Sequence, residues 1–405
     1  MAASKLFKMY CRAYQGIFRV AVNFLDWTEP QLLKGAGSVK KLPEVVKKNG
    51  HDSVLVVTDK GLMGLHLLDG MFEGLEKSNV KYAVYDGTQP NPTINNIEDA
   101  RQMYADNKCS AVIAFGGGSP MDCAKVAAAR IARPNKSVQK MRGTLKILKK
   151  LPTIYAVPTT AGTGSETTIA AVVSDPTTHE KYALQDPVLR PKYAVLDPEL
   201  TLGLPPHITS TTGMDALTHA VEAYIGGSNT KDTIAAAEKA TKMIFDNILK
   251  VYENGKDVEA RENMLEASYL AGIAFTRAYV GYVHAIAHNF GGMYGTPHGL
   301  ANAVILPYVL EAFGETAYKP LAKLADVAGL ETAGMNEAQK ANLFIAKIKE
   351  LNKLLNIPEH LEVQEKDVET IAKRANKEGN PLYPVPKIMD VEELSAIIRK
   401  VGNLN

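Results

Sequence analysis

Asp215 and a group of histidines in the second half of the chain have the residue types and spacing of a metal site. Asp215 and His219 lie four residues apart in a stretch that favours a helix, so both side chains would project from one helix face. His284, His288 and His298 fall within fifteen residues. Carboxylate and imidazole groups bind divalent transition metals. A hydrogen-bonded helix pair would also explain the first two residues, and packing would explain any one histidine, but the whole set favours a metal site.

The order of the three later histidines fits a shared site. His284 and His288 are four residues apart and would lie on one helix face. His298 follows a Gly-Thr-Pro turn, which could bring the chain back towards them. The sequence therefore places its ligand candidates on two predicted helices and after one turn.

A glycine-rich turn in the first half has the chemistry of a phosphate-binding site. Gly116-Gly117-Gly118-Ser119-Pro120 follows an apolar run and precedes an alanine-rich segment that predicts a helix. Glycines allow a tight turn and a close approach to a ligand, while Ser119 would cap the helix and Pro120 would occupy its first position. The amides at that helix start would hold a pyrophosphate. The spacing is not the GxGxxG pattern of dinucleotide-binding turns.

Two charged residues of the same predicted helix have competing interpretations. Asp122 is a candidate cofactor residue, but it also stands at capping-box spacing from Ser119. Lys125 could be a cofactor contact or a solvated helix lysine.

A second polar turn and one acidic residue complete the cofactor candidates. The turn Pro158–Glu166 follows a predicted strand and is rich in hydroxyls and glycines, which suit a dinucleotide lying across a sheet edge. Loop chemistry alone would also account for such a composition. Asp59 follows the predicted strand Ser53–Val57, where a carboxylate would accept hydrogen bonds from a ribose 2′-hydroxyl and repel a 2′-phosphate. Asp59 therefore predicts a preference for NAD(H) over NADP(H).

The segments that must position these residues differ between the two halves of the chain. The predicted strands of the first half are Ser53–Val57, Ala111–Phe115, Thr153–Val157 and Tyr193–Leu196. Such apolar strands are buried on both faces, which predicts a mainly parallel sheet covered by helices. After Leu204-Pro205-Pro206, apolar residues recur at three- and four-residue spacing, which predicts helices alone.

The length of the chain and the different patterns of predicted strands and helices in its two halves together predict two domains. A chain of 405 residues exceeds the size at which one core usually keeps growing. We expect an N-terminal extension and an α/β dinucleotide-binding domain at 1–204, and an all-helical metal and substrate domain at 205–405. Residues 1–25 contain basic residues and no acidic one, as transit peptides do, but an amphipathic helix lying on the body of the protein is the preferred interpretation.

Composition narrows the class of partner. A net charge of +2 gives no electrostatic reason to expect nucleic acid or an acidic membrane surface, and no run is long and apolar enough to span a bilayer. The three cysteines lack ligand spacing and fit a reducing compartment. The sequence therefore predicts a cytoplasmic protein that acts on small molecules, with no nucleic-acid or membrane partner.

Four stretches together resemble the iron-containing, metal-dependent alcohol dehydrogenase family. They are the segment around Asp215 and His219, the segment from His284 to His298, the turn at 116–125 and the turn at 158–166, and the resemblance is colinear from about Gly35 to the C-terminus. It implies a Rossmann-like α/β domain followed by an all-α metal domain, the fold shared with dehydroquinate synthase.

The resemblance also implies roles for individual residues. The four metal ligands would be Asp215, His219, His284 and His298, and His288 would be a second histidine near the substrate that is not a ligand. The residues that match cofactor-binding positions are Asp59, Gly117, Gly118, Ser119, Thr159, Thr163 and Lys181, and the adjacent Thr160 and Asp122 are included with them. Phe275 falls where the family often places an aromatic side chain of the substrate pocket.

The function implied is that of an oxidoreductase. We expect an NAD(H)-dependent alcohol dehydrogenase or aldehyde reductase that transfers hydride between the nicotinamide and a primary alcohol or aldehyde held at the metal. Fe(II) is the expected metal, with Zn(II) as the alternative, and the protein is expected to be a homodimer or a larger homo-oligomer. The alternatives on the same fold are a polyol dehydrogenase and a lyase of the dehydroquinate synthase kind. Lys and Arg that would bind a phosphorylated substrate are scarce in the metal motifs.

Overall fold

The buried apolar strands of the first half form a parallel sheet, as the sequence predicts. The structure is a computed structural model that describes residues 5–177 and 180–404. Six of the described strands pair in the order β1-β9-β6-β4-β2-β3, and every neighbouring pair is parallel. The strands are β1 (Gln31–Lys34), β2 (Ser53–Val57), β3 (Lys81–Tyr85), β4 (Ala111–Gly116), β5 (Gly143–Thr144), β6 (Thr153–Pro158), β7 (Ala170–Asp175), β8 (Glu180–Gln185) and β9 (Tyr193–Leu196).

Helices cover both faces of this sheet because its strands are apolar on both sides. Val54 and Val56 of β2 pack with Met71 and Leu75 on one face, and Leu55 of the same strand packs on the opposite face. The helices of the α/β part are α2 (Leu42–Lys48), α3 (Lys60–Gly64), α4 (Asp69–Lys77), α5 (Ile94–Asp106) and α6 (Gly118–Ala132).

A small second sheet was not predicted from the sequence. It has the order β5-β8-β7, in which β8 pairs antiparallel with β7. Alternate residues of β7 are buried, which is the pattern of a strand covered on one face only.

The rest of the described chain is helical, and no strand occurs in it after residue 196. The predicted change after Pro206, from alternating strands and helices to helices alone, is therefore confirmed. The remaining helices are α1 (Lys5–Ala21), α7 (Pro206–Ile225), α8 (Lys231–Glu253), α9 (Val258–Ala278), α10 (Tyr282–Tyr294), α11 (His298–Phe313), α12 (Glu315–Val327), α13 (Glu337–Leu354), α14 (Glu365–Gly379) and α15 (Val391–Val401).

Contacts divide the described chain into two units. The α/β unit contains Asp26–Gly203 and Lys256–Tyr269, and the helical unit contains residues 5–25, 204–255 and 270–404. The units meet in sequence at 203/204, near the predicted boundary, but the N-terminal residues group with the helical unit. The first half of α9 groups with the α/β unit.

Helix α1 is amphipathic, as predicted, and its apolar stripe faces outwards. Cys11 and Gln15 are buried against the helical unit, whereas Leu6, Tyr10 and Ile17 are exposed. No helix in residues 5–177 and 180–404 is long and apolar enough to cross a membrane.

Candidate active site

Four side chains of the helical unit converge on one point. Asp215, His219, His284 and His298 each offer one ligand atom, and these atoms all lie within 4.8 Å of one another. The first three residues are buried, and the His298 side chain is 34% exposed. We call these four residues the Asp215 cluster; they are the four that the sequence analysis names as metal ligands.

Helix geometry and one turn bring the cluster together. Asp215 and His219 lie one turn apart on α7, and His284 lies in the first turn of α10. Helix α10 ends at Tyr294 and is capped by Gly295, whose φ of 69° is in the left-handed region that glycine adopts at low cost. Pro297 follows and precedes His298, the first residue of α11. The glycine and proline therefore set the position of the fourth side chain.

A buried carboxylate orients His284. Glu222 Oε1 accepts a hydrogen bond from the backbone N of Val283 at 2.8 Å, and Oε2 lies 2.6 Å from His284 Nδ1. This contact holds the imidazole with Nδ1 protonated and leaves Nε2 for the cluster. Burial raises the pKa of Glu222 to about 7 and lowers that of His284 to about 3, so the imidazole is neutral. Glu222 was not predicted from the sequence as a site residue, although it lies seven residues after Asp215, on the same face of α7.

Asn302 lies among the atoms that would bind a metal. Its Nδ2 donates to Asp215 Oδ1 at 2.6 Å and lies 3.1 Å from the Nε2 atoms of both His284 and His298. Asn302 Oδ1 is buried and has no hydrogen-bond partner among the described residues. Two amide hydrogens cannot satisfy three acceptors. The sequence analysis missed this residue too, although it lies one turn after His298 on α11.

The donor set fits a divalent cation. It contains one carboxylate and three imidazoles, the ligand types of Fe(II) and Zn(II). Burial raises the pKa of Asp215 to about 7, against the opposing effect of its hydrogen bond from Asn302. A cation among these lone pairs would favour the charged carboxylate.

Two further predicted residues contact the cluster without belonging to it. The Phe275 ring stacks on His219 with centroids 4.1 Å apart, and the His288 ring stacks on His298 at 5.3 Å. His288 Nδ1 lies 2.8 Å from Glu378 Oε1, and Tyr383 donates its hydroxyl to the same oxygen at 2.9 Å. The sequence analysis did not identify Glu378 or Tyr383 as site residues.

The glycine turn lies at the carboxyl end of β4, but the predictions about how the following helix starts are wrong. Helix α6 begins at Gly118 and its N-cap is Gly117, so Ser119 is not the cap, Pro120 is not in the first position, and no capping box forms with Asp122. Gly116 has a φ of 147°, and a side chain there would meet the Pro120 ring at 2.6 Å. The glycine therefore lets the helix start earlier than the Ser-Pro pair suggests.

The two polar turns lie side by side, and their surface fits a phosphate group. A Cβ on Gly117 would lie 3.4 Å from Thr160 Oγ1, and a Cβ on Gly118 would lie 3.2 Å from Thr163 Cγ2. Thr159 donates its backbone N–H to Gly116 O at 3.2 Å. Thr160 Oγ1 is buried without a partner among the described residues, and no described side chain caps the start of α6. The helix start therefore retains amides that can donate to a phosphate.

The remaining cofactor candidates have partners within the protein. Asp59 is the N-cap of α3, and its Oδ1 accepts from Leu62 N at 2.9 Å. The Lys181 ammonium donates to Asn91 Oδ1 at 2.7 Å, and Asn91 N donates to Ser119 Oγ at 3.2 Å. Asn91 thus connects two predicted cofactor residues.

Asp122 and Lys125 lie beneath the turn. The Asp122 oxygens accept from Ser165 Oγ at 3.1 Å and from Val172 N at 3.0 Å. Because these bonds are made within the protein, they do not test the predicted contact with a cofactor. Lys125 is completely buried, so the interpretation as a solvated lysine is wrong. Burial lowers its pKa to about 8.

Comparisons with known proteins agree with this arrangement. The sequence profile described as iron-containing alcohol dehydrogenase matches residues 30–198, and the profile of the C-terminal part of that family matches residues 209–402. The chain is 36% identical to the 1,3-propanediol dehydrogenase of Klebsiella pneumoniae over 94% of its own length and all of the relative's. It is 37% identical to alcohol dehydrogenase 4 of Schizosaccharomyces pombe, over 87% and 84% of the two chains. A crystal structure of 1,3-propanediol oxidoreductase superposes with a TM-score of 0.90 at 36% identity, covering 93% of this chain and 100% of the other.

Proposed function

Because the chain belongs to the iron-containing alcohol dehydrogenase family, we propose that its Asp215 cluster holds Fe(II) and that a primary alcohol or aldehyde reacts beside it. The enzyme is an NAD-dependent alcohol dehydrogenase or aldehyde reductase. The observation that carries the metal proposal is the convergence of four ligand atoms within 4.8 Å. Zn(II) is compatible with the same ligands, and the family favours iron.

The chain's own residues would prepare the reaction in two ways. Glu222 fixes the ring of His284, so this proposed metal ligand is held before substrate arrives. Phe275, stacked on His219, would give the substrate carbon an apolar surface and exclude water. When bound, the metal lowers the pKa of the substrate hydroxyl as a Lewis acid, and NAD accepts the hydride.

We assign the hydroxyl proton to His288. Its Nδ1 is held by Glu378, which leaves Nε2 for the substrate side. His288→Ala is expected to lower kcat and to change its pH dependence, while the metal content stays normal. Near-normal kcat with an unchanged pH profile would rule out this role and leave His288 as a packing partner of His298.

We assign the pyrophosphate of NAD to the turn at Gly117, Gly118 and Ser119, with Thr159, Thr160, Thr163 and Lys181 beside it. This assignment is supported by the start of α6, which no described side chain caps, and by the Thr160 hydroxyl, which has no partner among the described residues. Asp59 is assigned to the adenosine ribose. Its Oδ1 already caps α3, so Oδ2 is the oxygen left for a 2′-hydroxyl. Asp59→Gly should lower the NAD to NADP ratio of kcat/KM, and an unchanged ratio would remove this role.

We propose a cytoplasmic location and a homo-oligomeric assembly. The location is supported by three cysteines that are all free, as in a reducing compartment. Sedimentation of the purified protein would test the assembly, and a monomer at micromolar concentration would contradict it.

An anaerobic assay of the iron-loaded protein tests the proposed function. The panel should contain short primary alcohols, 1,3-propanediol and the corresponding aldehydes, each with NAD(H) and NADP(H). We expect turnover of a primary alcohol or aldehyde, faster with NAD(H). Polyols tested in the same panel serve as the alternative substrate class. No turnover with any member would contradict the proposal.

A further inference from the structure

The N-terminal helix α1 holds an irregular segment near the C-terminus of the chain. This segment, residues 381–386, lies between α14 and α15 and belongs to no helix or strand. Gln15 and Arg12 donate to four of its backbone carbonyl oxygens. The bonds run from Gln15 Nε2 to Pro381 O at 3.1 Å and Tyr383 O at 2.8 Å, and from Arg12 to Val385 O and Pro386 O, both at 2.8 Å.

The two donors also hold each other. Arg12 Nη1 donates to Gln15 Oε1 at 2.9 Å, so the oxygen and both N–H hydrogens of the Gln15 side-chain amide are engaged in three hydrogen bonds on one side of α1. Cys11 and Gln15 are buried there, and the Phe18 ring packs edge-on against the Tyr279 ring with centroids 5.8 Å apart. This side of α1 therefore has a fixed position on the helical unit.

The segment that α1 holds leads directly to His288. Tyr383 is buried, and its hydroxyl donates to Glu378 Oε1 at 2.9 Å. The same oxygen lies 2.8 Å from His288 Nδ1. The Glu378 side chain is 31% exposed and sits near the end of α14, so without Tyr383 it could turn towards solvent. The position of the imidazole thus depends on a tyrosine whose backbone α1 holds.

We propose that Gln15 and Arg12 are positioning residues of the active site, which act through Tyr383 and Glu378 to hold His288 for proton transfer. This inference rests on the proposed function, because it gives His288 the role assigned above. These four hydrogen bonds would act by reducing the conformational entropy of residues 381–386. An irregular segment loses conformational freedom when it is ordered, and four bonds from a packed helix hold it in one conformation. Displacing a proton-transfer group by about 1 Å can cost up to 10²-fold in rate.

Gln15→Ala is the main test, and Leu6→Ala is its matched control. Leu6 lies on the exposed side of the same helix. Gln15→Ala should lower kcat about tenfold, move the pH profile of kcat in the same direction as His288→Ala, and leave the metal content and the KM for NAD unchanged. Hydrogen exchange should become faster at the Leu382, Tyr383 and Val385 amides, since the other three residues of 381–386 are prolines without an N–H. Leu6→Ala should change none of these quantities.

Two further variants separate positioning from folding. Tyr383→Phe keeps the buried ring and removes only the hydroxyl that holds Glu378, so it should reproduce the kinetic change without faster exchange in 381–386. Arg12→Lys should retain part of the activity that Arg12→Ala loses, since a lysine can still donate to one of the two carbonyls.

The outcomes distinguish this inference from the proposed function. If the wild type turns over alcohols and His288→Ala changes the pH profile, but neither Gln15→Ala nor Tyr383→Phe does, the inference is overturned and the function stands. Faster exchange in 381–386 with unchanged kcat would also overturn it, since α1 would then stabilise the segment without acting on His288. If His288→Ala itself has no effect, the proposed proton-transfer role is contradicted, and the inference that rests on it is overturned as well.

Discussion

Two buried polar clusters, one in each unit, differ in the charged groups that they contain. One surrounds a cation of the protein, and the other consists of hydrogen-bond acceptors. In the α/β unit, Lys125 supplies a cation, and its three ammonium hydrogens are shared among five acceptors at 2.7–3.1 Å from Nζ, which are Ser165 O and Oγ, Thr168 O and Oγ1, and Ala170 O. We call Lys125 and these partners the Lys125 cluster. In the helical unit, the Asp215 cluster presents acceptor atoms, and the described donor among them is the amide of Asn302.

The difference shows how a structural cluster can be told from a ligand-binding one. A buried charge is stable when the protein itself provides its partners, as it does for Lys125. Around the Asp215 cluster, the described chain places carboxylate and imidazole lone pairs about one neutral amide, and we propose that a metal ion from solution is their partner. We therefore expect substitutions in the Lys125 cluster to affect folding and those in the Asp215 cluster to affect metal binding.

The largest expected effect is that of Asp215→Asn. Loss of the only carboxylate in the ligand set should lower metal content and reduce kcat/KM about a thousandfold, since Lewis-acid stabilisation is worth several kcal/mol. Elemental analysis and steady-state kinetics measure both quantities. The control is Asp246→Asn, at an exposed aspartate that pairs with Lys242 on α8. Full metal content with full activity would contradict a metal role for Asp215.

Lys125→Met should act on stability instead. Removing the cation leaves several buried acceptors without a donor, at a cost of about 3–5 kcal/mol in the free energy of unfolding. Urea denaturation of the metal-free protein measures this loss, with exposed Lys242→Met as the control. The folded variant should still bind metal. A variant as stable as the wild type would show that the Lys125 cluster does not need its cation.

Glu222→Gln sharpens the comparison within the helical unit. The neutral amide can no longer offer two carboxylate oxygens to Val283 N and His284 Nδ1, so the His284 ring is less well oriented. We expect metal affinity to fall about 10- to 100-fold. Competition with a chelator measures the affinity, and Glu238→Gln, at a residue that accepts from Tyr224, is the control. Unchanged affinity would mean that helix packing alone orients His284.

The smallest expected effect concerns pH and Glu166, which is buried near Lys125. Burial raises the pKa of Glu166 from 4.5 to about 7, so the folded chain keeps a proton that the unfolded chain releases in this range. Stability from this group is therefore present below pH 4.5 and is lost as pH rises to 7, by about 1–3 kcal/mol. Glu166→Gln should lack this part of the pH dependence. Denaturation at pH 5 and 8 tests it, and parallel profiles for both proteins would contradict the raised pKa.

Much of the fold and the helix-spaced ligand candidates could be predicted from sequence because both depend on short-range patterns, whereas the choice of the four expected ligands came from the family resemblance. The strands at 53–57 and 111–116 are apolar runs, and the pairs Asp215–His219 and His284–His288 have helical spacing. Glu222 and Asn302 also lie at helical spacing from predicted ligands, so the same reasoning applied one turn further would have found them. The small mixed sheet and the start of α6 were not predicted, because residue spacing does not determine strand pairing or backbone dihedral angles.

The sequence by itself determined which residue types were available and which faces of helices and strands they occupy. The helical period of 3.6 residues and the strand period of 2 residues depend only on neighbouring residues. The helical period therefore places Asp215 and His219 on one face of a helix whatever the rest of the chain contains. Only the tertiary structure decided which distant groups satisfy one another. Lys125 is a helix lysine in the sequence and a buried cation in the fold because its acceptors come from a turn at least 40 residues away. Arg12 reaches Val385 across 373 residues. Packing determines such partners, and it separates the acceptors that already have a cation from those that we propose bind a metal.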